Sequence, residues 1–196
     1  DVGMVHARLA IIDLTSGDQP LRDQAGAALV ANAEIYNHVE LRAQMTGTAF
    51  ATRSDCEPAL PLYRRDGVAF ATGLRGMYAI ALHDLGAGQL VLSRDPFGIK
   101  PLYYAETARG LAFASEPRAF FAAGLLSPSV VPQARTELLQ LQFTTGRDTI
   151  YAGVRRLLPG ETLLVRQGRI VERRRLEALP SGGPRAVDEA EALAQM

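Results

Sequence analysis

Few residues of this chain have a type and spacing that could do chemistry. Arg8 stands inside the apolar run Val5-His-Ala-Arg-Leu-Ala-Ile-Ile-Asp-Leu14. A guanidinium there is costly unless it is paired. It is either an outward-facing strand residue, which the alternation of His6, Arg8 and Ala10 allows, or a fork that gives a carboxylate two parallel hydrogen bonds. Asn32-Ala33-Glu34 ends a second β-prone run. An Asn amide and a neighbouring backbone N–H can together face an oxyanion; equally, Asn can turn the chain with Glu34 solvated. Asp55 could receive an ammonium group or cap the next helix. Cys56 is the sole thiol. A helix N-terminus would lower its pKa, but no histidine stands near it in sequence as a base, and a lone cysteine usually packs. His6, His38 and His83 lack ligand spacing, so no metal site is expected. The arginines at 155, 156, 166, 169 and 173–175 could form a nucleic-acid patch. They lack interleaved aromatics, so a solvated face or an inter-domain contact fits better.

The elements that must hold these residues follow from pattern. Val5–Leu14 reads as a strand stopped by Thr15-Ser-Gly-Asp18, and Ala27–Ala33 as a second. Asn37 is placed to cap a helix over His38–Met45, and Ser54 or Asp55 to cap one running through Cys56, Leu60 and Tyr63. Phe50–Arg53 reads as extended. Pro58 suits a first turn, whereas Pro61 sits awkwardly. The short β-prone runs Met77–Asp84, Gln89–Ser93, Leu102–Ala105 and Gly110–Ala114 are split by tight turns without crossover helices, which predicts an antiparallel meander. Pro117–Ala123 and Gln133–Leu141 read as helices, and Glu161–Arg166 with Arg169–Arg173 as a hairpin. Pro180–Pro184 is linker-like, before an Ala/Glu-rich helix over Val187–Met196. The pattern is α+β, and no glycine-rich phosphate loop is present.

Composition narrows the rest. The chain has 196 residues, 21 basic and 21 acidic, so its formal charge is zero and gives no electrostatic reason to expect nucleic acid. A hydrophobic content of 47% excludes wholesale disorder. No apolar run reaches membrane-spanning length, no leader pattern is visible, and one cysteine fits a reducing, cytoplasmic setting.

Several segments in one order carry a resemblance. They are His6-Ala-Arg-Leu-Ala-Ile-Ile-Asp13, Asn32-Ala-Glu-Ile-Tyr-Asn37, Ser54-Asp-Cys-Glu57, Leu74-Arg-Gly-Met-Tyr-Ala79, the run from Arg94-Asp-Pro-Phe-Gly98 through Tyr104, Phe113-Ala-Ser-Glu116 and Leu157-Leu-Pro-Gly160. Together, from about Val5 to Arg174, they resemble the glutamine-hydrolysing domain of asparagine synthetase, a class II glutamine amidotransferase of the N-terminal-nucleophile hydrolase type. The resemblance implies a four-layer αββα sandwich of antiparallel sheets, here lacking its first strand. It implies hydrolysis of the glutamine side-chain amide, with ammonia passed to a C-terminal synthetase domain that uses ATP and Mg²⁺. This domain itself would hold no cofactor. It assigns Arg8 to the α-carboxylate of glutamine, with the backbone around Ile11 and Ile12. Asn32 and the N–H of Ala33 would form the oxyanion hole, and Glu34 and Asp55 would hold the ammonium.

Two departures shape the expectations. The family nucleophile is an N-terminal cysteine that this sequence lacks, and Cys56 follows the ammonium-binding Asp instead of occupying that position. The chain as given is therefore expected to be inactive alone. Residue 33 is Ala where the family usually has Gly, which costs about 1 kcal/mol if the backbone there needs positive φ. The expected division is 1–176 for the amidotransferase domain and 177–196 for a linker into the synthetase domain. Glutamine and that domain are the expected partners; a homodimer is compatible with the sequence, and neither nucleic acid nor membrane is expected. The competing expectations are a degenerate, non-catalytic scaffold beside a synthetase domain, of the β-lactam-synthetase kind, and an unrelated soluble domain.

Overall fold

A computed structural model describes residues 2–7, 12, 13, 15–179, 188, 191 and 193. The elements in chain order are β1 (Leu21–Arg22), β2 (Ala27–Ile35), α1 (His38–Gln44), α2 (Ala59–Asp66), a 3₁₀ segment (Gly67–Gly73), β3 (Gly76–Asp84), β4 (Gln89–Arg94), β5 (Tyr103–Thr107), β6 (Gly110–Ala114), α3 (Arg118–Ala122), α4 (Pro132–Leu141), β7 (Arg155–Arg156), β8 (Glu161–Arg166) and β9 (Arg169–Arg175). They form a six-stranded sheet ordered β1-β2-β3-β4-β8-β9 and a three-stranded sheet ordered β6-β5-β7. Every pairing is antiparallel.

Both faces of the large sheet are apolar, so its strands read as continuous hydrophobic runs. Side chains alternate across a strand. Leu29, Ala31 and Ile35 of β2 therefore join Tyr78, Ile80 and Leu82 of β3 on one face, packed with Leu41 of α1 and Leu60, Leu62 and Tyr63 of α2. Val30, Ala79, Ala81 and Leu92 face the other way, against Leu102, Tyr104 and Leu157, with Phe113 of β6 alongside. Beyond them, Ala105 of β5 packs with Phe120 of α3.

The expected meander is divided between the two sheets. β3 and β4 stay in the large sheet, whereas β5 and β6 belong to the small one. The turn Arg94-Asp-Pro-Phe-Gly98 makes the transfer. Asp95 is fully buried. Its Oδ1 accepts the N–H groups of Phe97 at 3.1 Å and Ile99 at 2.9 Å, and its Oδ2 those of Tyr78 at 3.2 Å and Lys100 at 3.0 Å. Arg94 donates to the carbonyls of Lys100 (2.7 Å), Leu157 (2.6 Å) and Gly98 (2.5 Å). Gly98 adopts φ +65°, and a Cβ there would lie 2.8 Å from Pro159 Cγ, so glycine is required.

Other expectations need correction. Residues 5–7, 12 and 13 of the expected Val5–Leu14 strand lie in no strand, and the rest of that run falls outside the described residues. Asn37 precedes α1, but its side chain makes no cap. It donates to Gly73 O at 2.9 Å and accepts from Arg75 N–H at 2.8 Å, tying the end of β2 to the start of β3. The second helix begins at Ala59, after a turn over residues 55–58, with neither Ser54 nor Asp55 as its cap. Pro61 fits because it lies in the first turn, where a missing N–H costs little. The linker and terminal helix expected over 180–196 lie almost wholly outside the described residues.

Candidate active site

The outer edge of β2 builds the site. In an antiparallel ladder, alternate N–H groups point to opposite sides of the strand. Those of Ala31, Ala33 and Ile35 point away from β3. β1 pairs only with Ala28 and Leu29, so the edge beyond it is closed by side chains. Gln19 acts as a one-residue strand: its Oε1 accepts from Ala31 N–H at 2.5 Å, and its Nε2 donates to Ala31 O at 3.0 Å. Asp55 Oδ2 accepts from Ile35 N–H at 2.7 Å. Between these two, no described residue accepts from Ala33 N–H.

This gap opens into a cavity of about 1590 Å³ between the two sheets, lined by Ile12, Asn32, Ala33, Glu34, Ser54 and Asp55 among others. The strand alternation sets Asn32 and Glu34 on the same inter-sheet face as Val30. Glu34 is fixed by a close approach. A Cβ on Gly76, whose φ is +152°, would lie 2.1 Å from Glu34 O, so only glycine lets β3 pair there. Ala33 lies in extended β2 and is not among the positive-φ residues, so it replaces glycine without strain.

Asp55 is carried by a loop clamped from behind. The buried Glu57 accepts from Ala51 N–H at 2.6 Å, Thr52 N–H at 2.9 Å and Thr52 Oγ1 at 2.7 Å. Arg42 donates to Glu57 at 3.2 Å and to Ser54 O at 2.6 Å, and stacks on the Phe50 ring at 4.2 Å. With Oδ2 on Ile35, the other Asp55 oxygen accepts, among the described residues, only a weak contact from Cys56 Sγ at 3.6 Å. Burial, with the negative charge of Asp55 adding to it, pushes the Cys56 thiol well above its ordinary pKa. A thiol kept protonated is no nucleophile. Asp13 approaches the same loop, with its Oδ2 accepting from Arg53 N–H at 2.8 Å.

Of the residues singled out in the sequence, Ile12, Asn32, Ala33, Glu34 and Asp55 all line one cavity. Arg8 and Ile11 lie outside the described residues. The arginine cluster mostly serves internal contacts: Arg156 donates to Thr144 O, Arg173 pairs with Glu161, and Arg155 pairs with Glu106. No group of three His, Cys, Asp or Glu among the described residues could hold a metal ion. Nor is any described helix long and apolar enough to cross a membrane. Sequence reasoning missed Gln19, Asp13 and Glu57. Each acts on backbone brought to it by the fold, although the acid at 57, beside Asp55, is a visible part of Ser54-Asp-Cys-Glu57.

A family model described as a glutamine amidotransferase domain matches residues 1–175. The chain belongs to the class II glutamine amidotransferase domain family. This amidotransferase domain is 43% identical over 121 residues to asparagine synthetase [glutamine-hydrolyzing] 2 of Bacillus subtilis, covering 61% of this chain and 16% of that protein. It is 38% identical over 168 residues to amidase chry2 of Gibberella zeae, covering 84% and 24%. It is 36% identical over 168 residues to asparagine synthetase [glutamine-hydrolyzing] 1 of Bacillus subtilis, covering 84% and 26%. The domain thus spans a quarter or less of most of these proteins. Among solved structures, the glutamine phosphoribosylpyrophosphate amidotransferase of Bacillus subtilis superposes with TM-score 0.57 at 23% identity, covering 80% of this chain and 31% of that one, which shows the shared fold.

Proposed function

We propose that this amidotransferase domain binds free glutamine in the inter-sheet cavity and serves hydrolysis of its side-chain amide, as the ammonia-supplying part of an asparagine-synthetase-like enzyme. The observation that carries the reading is the N–H of Ala33, accepted by no described residue, between the occupied N–H groups of Ala31 and Ile35 and beside Asn32 on the same cavity wall. Backbone and amide donors aimed at one point stabilise the oxyanion of a tetrahedral intermediate without adding charge of their own. Asp55, with one oxygen anchored on β2, offers the other to an ammonium, and Glu34 adds a second negative group on the same wall. Arg8, with the backbone at Ile11 and Ile12, takes the α-carboxylate.

The fold reading that accompanies this is a four-layer αββα sandwich of antiparallel sheets, with its first strand not among these 196 residues. Residues 1–176 make the domain and 177–196 lead toward a synthetase domain, where ATP and Mg²⁺ serve the amidation of aspartate or a related carboxylate in the cytoplasm. Cys56 is the one thiol of these 196 residues, and it is buried and held protonated. On this reading these 196 residues by themselves do not hydrolyse glutamine. That same observation keeps open a scaffold role beside a synthetase domain. Ammonia release from glutamine by the complete gene product separates the two, since a scaffold releases none.

Arg8→Ala in the complete protein tests the cradle directly. Titration calorimetry with glutamine should show binding weakened by about 1.5–3 kcal/mol, the worth of charge-assisted hydrogen bonds. Unchanged affinity removes Arg8 from its role.

A further inference from the structure

Asp13 joins two segments that contribute to the cavity from different parts of the chain. Ile12, immediately before it, lines the cavity, as do Ser54 and Asp55, immediately after its partner Arg53. Asp13 Oδ2 accepts from Arg53 N–H at 2.8 Å and from Ser16 Oγ at 2.5 Å, while Oδ1 accepts from Ser16 N–H at 2.9 Å. One carboxylate thus closes its own turn over residues 13–16 and docks that turn on the loop carrying Asp55. The residue adopts φ +56°, a left-handed conformation that aspartate tolerates better than most residues. The far side of that loop is already fixed by Glu57 and Arg42. Among the described residues, Asp13 thus holds the turn after Ile12 against a loop that Glu57 and Arg42 brace from the other side.

We propose that Asp13 is a positioning residue that holds the backbone at Ile12, assigned to the α-carboxylate, in place against the loop that carries the ammonium-binding Asp55. The proposal rests on the reading of the cavity as a glutamine site. Asp13 acts by holding the turn after Ile12 against Arg53, so that both ends of a free amino acid are met at once. Its effect must then depend on a ligand that uses both ends.

The test is calorimetric binding to the complete protein, with two ligands and two independent variants. Asp13→Ala removes the acceptor, and Arg53→Pro removes the N–H it accepts while leaving Asp13 intact. Each should weaken glutamine binding about tenfold, the loss of a charge-assisted hydrogen bond. Neither should weaken further the binding of glutamine α-amide, which lacks the carboxylate and engages one end only. Such coupling between a residue and a distant ligand group is read as a double-mutant cycle is. A purely structural role would weaken both ligands alike, and that result overturns the proposal. Unchanged glutamine affinity in a variant overturns it too, while leaving the glutamine site standing. Absence of glutamine binding by the unsubstituted protein would refute the site itself, and the proposal with it.

Discussion

Asp55 and Asp95 are both buried aspartates next to β-strands, yet they are satisfied in opposite ways. Asp95 has four backbone N–H donors divided between its two oxygens, and the Arg94 guanidinium donates to the carbonyls of Gly98 and Lys100 and to that of the distant Leu157. Nothing is left over, and the group serves to move the chain from one sheet to the other. Asp55 has one strong donor, Ile35 N–H, and a weak thiol contact, and it lines a cavity. Burying a carboxylate is expensive unless its lone pairs are used. A saturated one therefore reads as architecture, and an unsaturated one beside a cavity reads as a site waiting for a cation.

Substitutions can break that contrast. The largest effect is expected for Asp95→Asn, which sets an amide NH₂ against two backbone donors. It should lower the free energy of unfolding by about 3–5 kcal/mol, read from urea denaturation. A loss below about 1 kcal/mol would mean that the turn does not depend on its anion. Asp55→Asn comes next and should divide stability from binding. The amide oxygen can still accept from Ile35 N–H, so the unfolding midpoint should hardly move, whereas glutamine affinity should fall about tenfold through loss of the charge. Equal losses in both measurements would place Asp55 with Asp95. The smallest effect belongs to Cys56→Ser, which keeps a donor toward Asp55 Oδ1. Stability and glutamine affinity should each change by less than about 1 kcal/mol, and ammonia release by the complete protein should persist where the parent shows it. Loss of catalysis alone would restore Cys56 as a nucleophile.

Much of this was legible from local pattern. The hairpin β8–β9 follows from Gln167-Gly168, and both residues have positive φ. The runs forming β3, β4 and β6 were bounded by glycine and aspartate turns within a residue or so of where they end. What escaped was set by distance along the chain. Asn37 has the composition of a helix cap, but the Gly73–Arg75 backbone competes for its amide and wins. Gln19 closing the edge of β2 leaves no periodic trace, because a side chain replaces a strand at one residue only. The division of the β-runs between two sheets was hidden for the same reason, since adjacent antiparallel strands look alike whichever sheet they join. Asn32, Ala33, Glu34 and Asp55 were legible as a group only through their ordered motifs. Each taken alone reads equally well as a turn or a cap.

The edge of β2 also decides what kind of molecule can dock there. An open strand edge is ordinarily an invitation to another polypeptide, which adds by pairing at every second residue. Here the positions on either side of Ala33 are already spoken for, one by an amide and one by a carboxylate. A peptide laid along this rim would find a single donor and two obstructions. A lone carbonyl oxygen at the tip of a small side chain meets no such difficulty, so the rim sorts visitors by the number of acceptors they bring before any charge is read.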